Sequence, residues 1–138
     1  MTEYTVIEHT PTVEEYQALR LAVGWGEADE DAIEKSLQNS LYWVCILKQK
    51  TVIGCGRVVG DGGLCFYIQD LIVLPIYQGQ GLGRRLMEEI MEYVRANAHQ
   101  GGFVGLMAAK GAEGFYLKYG FMARPTSDYG PGMILFWK

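Results

Sequence analysis

The chain has 138 residues, about half of them hydrophobic and a fifth charged, with a net charge of −4 and a pI near 5.1. That length suits one domain, 1–138, with a real hydrophobic core. The acidic balance disfavours nucleic-acid binding, the apolar runs are strand-sized and predict no membrane span, and the first residues lack the basic and apolar regions of a secretory signal. A cytoplasmic location is the resulting expectation.

The elements follow in chain order. Tyr4 to Glu8 is β-prone. Thr12 with Glu15, after Pro11, has the spacing of a capping box and predicts a helix carrying Tyr16, Leu19 and Val23. Gly24-Trp25-Gly26 ends it. Asp29 to Leu37 predicts a second short helix, with Ile33 and Leu37 as its apolar stripe. Tyr42 to Leu47 and Val52 to Val59 flank Lys48-Gln49-Lys50 and predict an antiparallel hairpin. Asp61-Gly62-Gly63 is a second turn, and the next strand runs from Leu64 to Leu74, stopped by Pro75.

After Gly83 the apolar period lengthens from two to about four. Leu82, Leu86, Ile90 and Val94, widened by Met87 and Met91, predict a long amphipathic helix ending near Ala98. Phe103 to Ala108 reads as a short buried strand. Glu113 to Lys118 reads as one or two helical turns closed by Gly120. Phe121 to Ala123 and Met133 to Trp137 are strand-like. The order β-α-α-β-β-β-α-β-α-β predicts an α/β (α+β) fold with a mixed, mostly antiparallel central sheet and helices on both faces.

The three cysteines, Cys45, Cys55 and Cys65, form no close pair and lie in apolar surroundings, so each is expected as a small buried hydrophobe. His9 and His99 lack ligand-like neighbours, and no metal is expected.

The segment Gln78-Gly79-Gln80-Gly81-Leu82-Gly83 stands between a strand and a long helix. The first turn of a helix leaves N–H groups without internal partners, and the helix dipole adds partial positive charge there. Glycines let the backbone turn tightly and let a phosphate come close. A diphosphate is the natural occupant, with Arg84 and Arg85 adding charge. The spacing fits neither the dinucleotide fingerprint nor a Walker loop, since no Gly-Lys-Ser/Thr follows.

Val73-Leu74-Pro75 before this segment and Phe115-Tyr116-Leu117-Lys118-Tyr119-Gly120-Phe121 after it complete a likeness. The chain resembles the GNAT superfamily of acetyl-CoA-dependent acetyltransferases, well over Val52 to Phe121 and by element order before that. Asp70 in the preceding strand and the stretch Tyr129 to Trp137 add some likeness to the compact arylalkylamine acetyltransferases of plastids and cyanobacteria. The resemblance implies that Gln78, Gly79, Gln80, Gly81, Leu82, Gly83 and Arg84 hold the pyrophosphate of acetyl-CoA. It implies that the pantetheine arm pairs with the strand end at Leu71, Ile72 and Val73, in a slot opened where the strand around Leu106-Met107-Ala108 splays away. It implies that Tyr116 lies near the thioester and protonates the leaving thiolate, with Tyr119 as competitor. Lys110 stands near the place where many members carry an Asn.

The expected reaction is acetyl transfer to a primary amine by direct attack in a ternary complex. An alkylammonium must first lose a proton, which makes a general base useful. Asp70 is the candidate, because a carboxylate within the apolar run Phe66 to Val73 must be solvated, paired or used. Strand alternation puts it on one face with Ile68 and Ile72; pairing with Arg57 on the neighbouring strand is the structural alternative. Trp25, Tyr42, Trp43, Tyr129 and Trp137 are candidates for an aromatic acceptor pocket or for packing. A non-catalytic acyl-CoA-binding module, and acetylation of a protein lysine or N-terminus, remain as other readings. A small-molecule amine is the expected partner, without nucleic acid or membrane, and the chain is a monomer or a homodimer.

Overall fold

The structure, a computed structural model, describes residues 3–138 and divides into two compact units, residues up to Leu106 and residues from Met107. The first unit is a five-stranded sheet in the order β1-β2-β3-β4-β5, with β1 Tyr4–Glu8, β2 Tyr42–Lys48, β3 Thr51–Gly60, β4 Cys65–Val73 and β5 Phe103–Leu106. Every pairing is antiparallel except β4 with β5.

Helices α1 (Val13–Ala22) and α2 (Glu30–Asn39) cover one face. Tyr16, Leu19 and Ile33 pack there with Trp43, Cys45, Val52, Cys55 and Ile72. Helix α3 (Leu82–Asn97) covers the other, burying Leu82, Leu86, Met87, Ile90 and Val94 as the four-residue spacing requires. Gly56 permits that contact, since a Cβ there would lie 2.7 Å from Ile90 Cδ1 and 3.2 Å from Leu71 Cδ1.

The capping box forms as expected. Glu15 N donates to Thr12 Oγ1 at 3.1 Å and Thr12 N donates to Glu15 Oε1 at 2.9 Å. Losing the Thr12 hydroxyl orphans one donor of the first turn, so Thr12→Ala is expected to lower stability by about 1 kcal/mol. Urea unfolding would read this as a lower midpoint with an unchanged slope.

Three expectations are corrected. The strand expected over Phe103 to Ala108 stops at Leu106 and is only partly covered, with Phe103 63% exposed. It lies at the sheet's margin, where no further strand pairs with its outer side among the described residues. No strand forms at Phe121 to Ala123 or Met133 to Trp137. A strand exists only where a neighbour completes its main-chain ladder, and β-propensity supplies side chains suited to a sheet without supplying that neighbour. Cys65, expected to be buried, is exposed because it is the first residue of β4, at the end of the sheet.

The second unit carries one short helix, α4 (Glu113–Leu117), close to the expected Glu113 to Lys118. Gly120, at φ 92°, follows it in the left-handed region that glycine adopts most easily.

Candidate functional site

Two features of the first unit meet at the end of β4. The first is the glycine segment. Beyond Val73 a short 3-10 turn, Pro75–Tyr77, leads into Gln78 and then α3. Gly79 and Gly81 both hold φ near 81°. Gly81 is the helix N-cap and offers no side chain to the first turn. Arg85 N is bonded to Gly81 O, the first helical bond, so the preceding N–H groups of the turn have no partner within the helix. No acidic residue lies in that turn. Arg84 makes only a 3.9 Å exposed contact with Glu88, leaving its charge available. A diphosphate fits this cradle of free donors, left-handed glycines and adjacent arginines.

The second feature is the free side of β4. Its parallel ladder with β5 runs from Cys65↔Phe103 to Ile68↔Leu106 and stops. Among the described strands, none pairs on that side with Gln69 to Val73. Three residues of strand, from Val73 back to Asp70, span roughly 10 Å. An extended amide-bearing chain can therefore continue from the glycine cradle along this edge by strand addition. Val73 O accepts a bond from Gln78 Nε2 at 2.9 Å, which joins the strand end to the loop.

At Asp70 the strand is bulged. Arg57 pairs with Gln69 and Cys55 with Ile72, so Asp70 and Leu71 together oppose Gly56. Asp70 takes φ 56°, a conformation Asp tolerates better than most residues. A bulge leaves main-chain groups outside the ladder, and the Asp70 carbonyl accepts instead from Cys55 Sγ at 3.3 Å. It also overturns the alternation expected from sequence. Ile72 joins the α1/α2 face together with Asp70, whereas Ile68, paired with Val58, lies on the other side of the bulge and outside that cluster.

Asp70 is buried and fully engaged at one oxygen. Its Oδ2 accepts from Arg57 Nε at 2.7 Å and from the Tyr16 hydroxyl at 2.8 Å, while Oδ1 has only Gln69 Nε2 at 3.4 Å. Arg57 also donates to Ser40 Oγ and lies over the Trp43 ring. Burial, followed by the charge of Asp70, pushes Tyr16 up to about 12 and keeps it a donor. The sequence did not mark Tyr16 as more than a core residue. Its hydroxyl, set by α1 opposite β4, is a contact 54 residues away in sequence.

The remaining candidates separate by environment. Trp43 and Tyr42 are core residues, Trp43 packed edge-on against Tyr16 and Tyr42 stacked on Tyr93. Trp25 is exposed and carries Arg20 over its ring. An open cleft on the α1/α2 side is lined by Ala32, Lys35, Ser36, Asn39, Arg57 and Val59. Burial pushes the Cys45 thiol up to about 12 and also raises Cys55, which removes both as ready thiolates.

In the second unit, Tyr116 lies on α4 with Phe115 and Phe121 edge-on at 5.1 and 6.2 Å. Burial raises its pKa, so the phenol is protonated at neutral pH. Tyr119 packs against Phe115. Tyr129 and Trp137 are exposed.

The sequence profile of the acetyltransferase (GNAT) domain matches residues 38–123. A ycf52-like N-acetyltransferase of Prochlorococcus marinus is 31% identical over 83% of this chain and 64% of its own length. A chloroplastic GCN5-related N-acetyltransferase of Arabidopsis thaliana is 32% identical over 79% of this chain and 55% of its own. The chain thus spans less than two thirds of these curated relatives. A probable acetyltransferase from Staphylococcus aureus, solved as a crystal structure, is 39% identical, with a TM-score of 0.89 over 98% of this chain and 100% of that one. With the glycine cradle, the free β4 edge and the matched profile together, the chain belongs to the GNAT acetyltransferase family.

Proposed function

We propose that the protein binds acetyl-CoA along Gln78 to Arg84 and the edge of β4, and transfers its acetyl group to a primary amine. The observation that carries this reading is the edge from Gln69 to Val73, unpaired on one side among the described strands, followed after the short turn Pro75–Tyr77 by a helix start with free N–H groups. Bound there, acetyl-CoA supplies an activated acetyl thioester. The chain's own contribution is to hold the diphosphate, extend the arm by main-chain bonding and manage two protons.

Tyr116 is the proposed acid. Support comes from its position in the Phe115-Tyr116 motif, from the family and from its protonated state. A phenol is a weaker acid than a thiol, whose reference pKa is about 8.5, so the transfer assists departure of the thiolate without strongly driving it. Direct attack by the amine is favoured over an acyl-enzyme, because burial keeps Cys45 and Cys55 as thiols and the exposed Cys65 begins β4, at the end opposite Val73 and the glycine segment.

Asp70 is the less accessible candidate for the base. Its side chain has no exposed surface and its charge is already met by Arg57. We read it as the anchor of the bulge, which positions the main chain beside the thioester.

The test is release of free thiol from acetyl-CoA over polyamines, arylalkylamines, amino acids and peptides. Transfer to a small amine supports the proposal, transfer confined to peptides moves the acceptor to protein, and CoA binding without transfer to any of them makes the chain a binding module. Tyr116→Phe is expected to lower kcat by about 100-fold with little change in the KM for acetyl-CoA. An unchanged kcat would remove Tyr116 from the chemistry.

A further inference from the structure

Gln80 stands between two glycines that both hold φ near 81°. Such a residue has little local reason to stay in place, since the main chain on either side of it is the most permissive available. Yet both ends of its side-chain amide are bonded. Oε1 accepts from the Tyr4 hydroxyl at 2.8 Å, and Nε2 donates to Tyr77 O at 3.3 Å. Tyr4 is the first residue of β1, 76 positions away in sequence. Its ring meets Tyr77 edge-on at 6.2 Å, and Lys48, its partner across β1 and β2, sets Nζ 5.0 Å above the Tyr77 ring.

The edge strand β1 thus grips the glycine loop by one hydrogen bond, from Tyr4 to Gln80, while Tyr4 and Lys48 each make one ring contact with Tyr77 in the turn just before it. We propose that Tyr4 is a positioning residue for the diphosphate site: through Gln80 it fixes the loop so that the N–H groups at the start of α3 are aimed before the ligand arrives. This rests on the reading of Gln78 to Arg84 as the acetyl-CoA diphosphate cradle. A loop ordered in advance does not have to be ordered by the ligand, and the saving appears as affinity. The tether is a single, largely exposed hydrogen bond, so its loss is expected to weaken binding by about 3- to 10-fold.

Tyr4→Phe removes the hydroxyl and keeps the ring against Tyr77. Calorimetry should show CoA binding weakened by that factor, with the melting temperature unchanged. In turnover, the KM for acetyl-CoA should rise by the same factor while kcat stays constant. Pantetheine, which lacks the diphosphate, reports on the β4 edge alone. Its affinity, read by NMR titration at millimolar concentration, should be the same for both proteins. Tyr4→Phe in the Gln80→Ala background should add no further loss, because the Tyr4 hydroxyl reaches the loop through its bond to Gln80. Equal weakening for CoA and pantetheine, or unchanged CoA affinity, overturns the role of Tyr4 and leaves the acetyl-CoA site standing. Failure of the unmutated protein to bind CoA overturns the site itself and the inference with it.

Discussion

Gly81→Val is expected to weaken CoA binding at least 100-fold while leaving the chain folded. Space does not select glycine here, since a Cβ at position 81 would meet nothing nearer than Arg84 Nη2, at 3.6 Å. The dihedral selects it. Gly81 holds φ 81° as the N-cap of α3, and left-handed backbone costs a non-glycine residue roughly 1–2 kcal/mol, more for a β-branched one. Valine would therefore pull the N-cap toward negative φ and turn the adjoining peptide plane. That plane carries a donor at the mouth of the cradle. Each 1.4 kcal/mol of lost interaction is a tenfold change in affinity, and a diphosphate engages several charge-assisted donors together. Gly81→Asn should fall between the two proteins, because Asn enters the left-handed region most readily of the ordinary residues. Calorimetry with CoA and circular dichroism on the same samples would check this. Equal affinity for the Val variant would mean that the N–H groups of this turn do not hold the ligand.

The site was legible in sequence to the extent that it is local. Thr12 and Glu15 announced a cap, and the spacing of Leu82, Leu86, Ile90 and Val94 announced the buried side of α3. Gln78 to Gly83 announced a tight glycine turn into a helix, because its meaning lies in consecutive residues between a strand and a helix. What sequence missed was set by register. The bulge at Asp70 depends on how β3 and β4 count against each other, and strict alternation cannot reveal an extra residue. An Asp inside an otherwise apolar strand was the available signal, because Asp is among the few residues that accept φ 56°. The grip of Tyr4 on Gln80 left no local mark, since nothing in Tyr4 to Glu8 distinguishes that tyrosine from an ordinary edge aromatic. Met133 to Trp137 shows the opposite error. An apolar, β-prone run looked like a strand, yet no ladder forms and its residues are between 64% and 90% exposed.

The largest expected effect on stability lies at Asp70. Its side chain is fully buried and that of Arg57 is 14% exposed, with 2.7 Å between Nε and Oδ2. Removing one member of a buried ion pair strands the other charge in a poor solvent, at a cost of about 3–5 kcal/mol. Asp70→Ala also deprives the Tyr16 hydroxyl of its acceptor. Against a total stability of order 5–15 kcal/mol, the melting temperature should fall by roughly 10–20 °C. Arg57→Met alone should cost a comparable amount, because it strands the carboxylate. The double variant should cost far less than the sum, since neither charge is then left unpaired, and that difference measures the coupling. Asp70→Asn separates anchor from base. It keeps an oxygen for Tyr16 and Arg57 but carries no charge and cannot take a proton. For an anchor, the expected result is a lower melting temperature with a pH profile of kcat that keeps its shape below the melting range. A base would instead lose the limb of the profile that reports its ionisation, together with most of its turnover at every pH. The second outcome would return Asp70 to the chemistry. The first leaves it holding the bulge in β4, three residues before the strand end that leads, through the turn Pro75–Tyr77, to the glycine cradle.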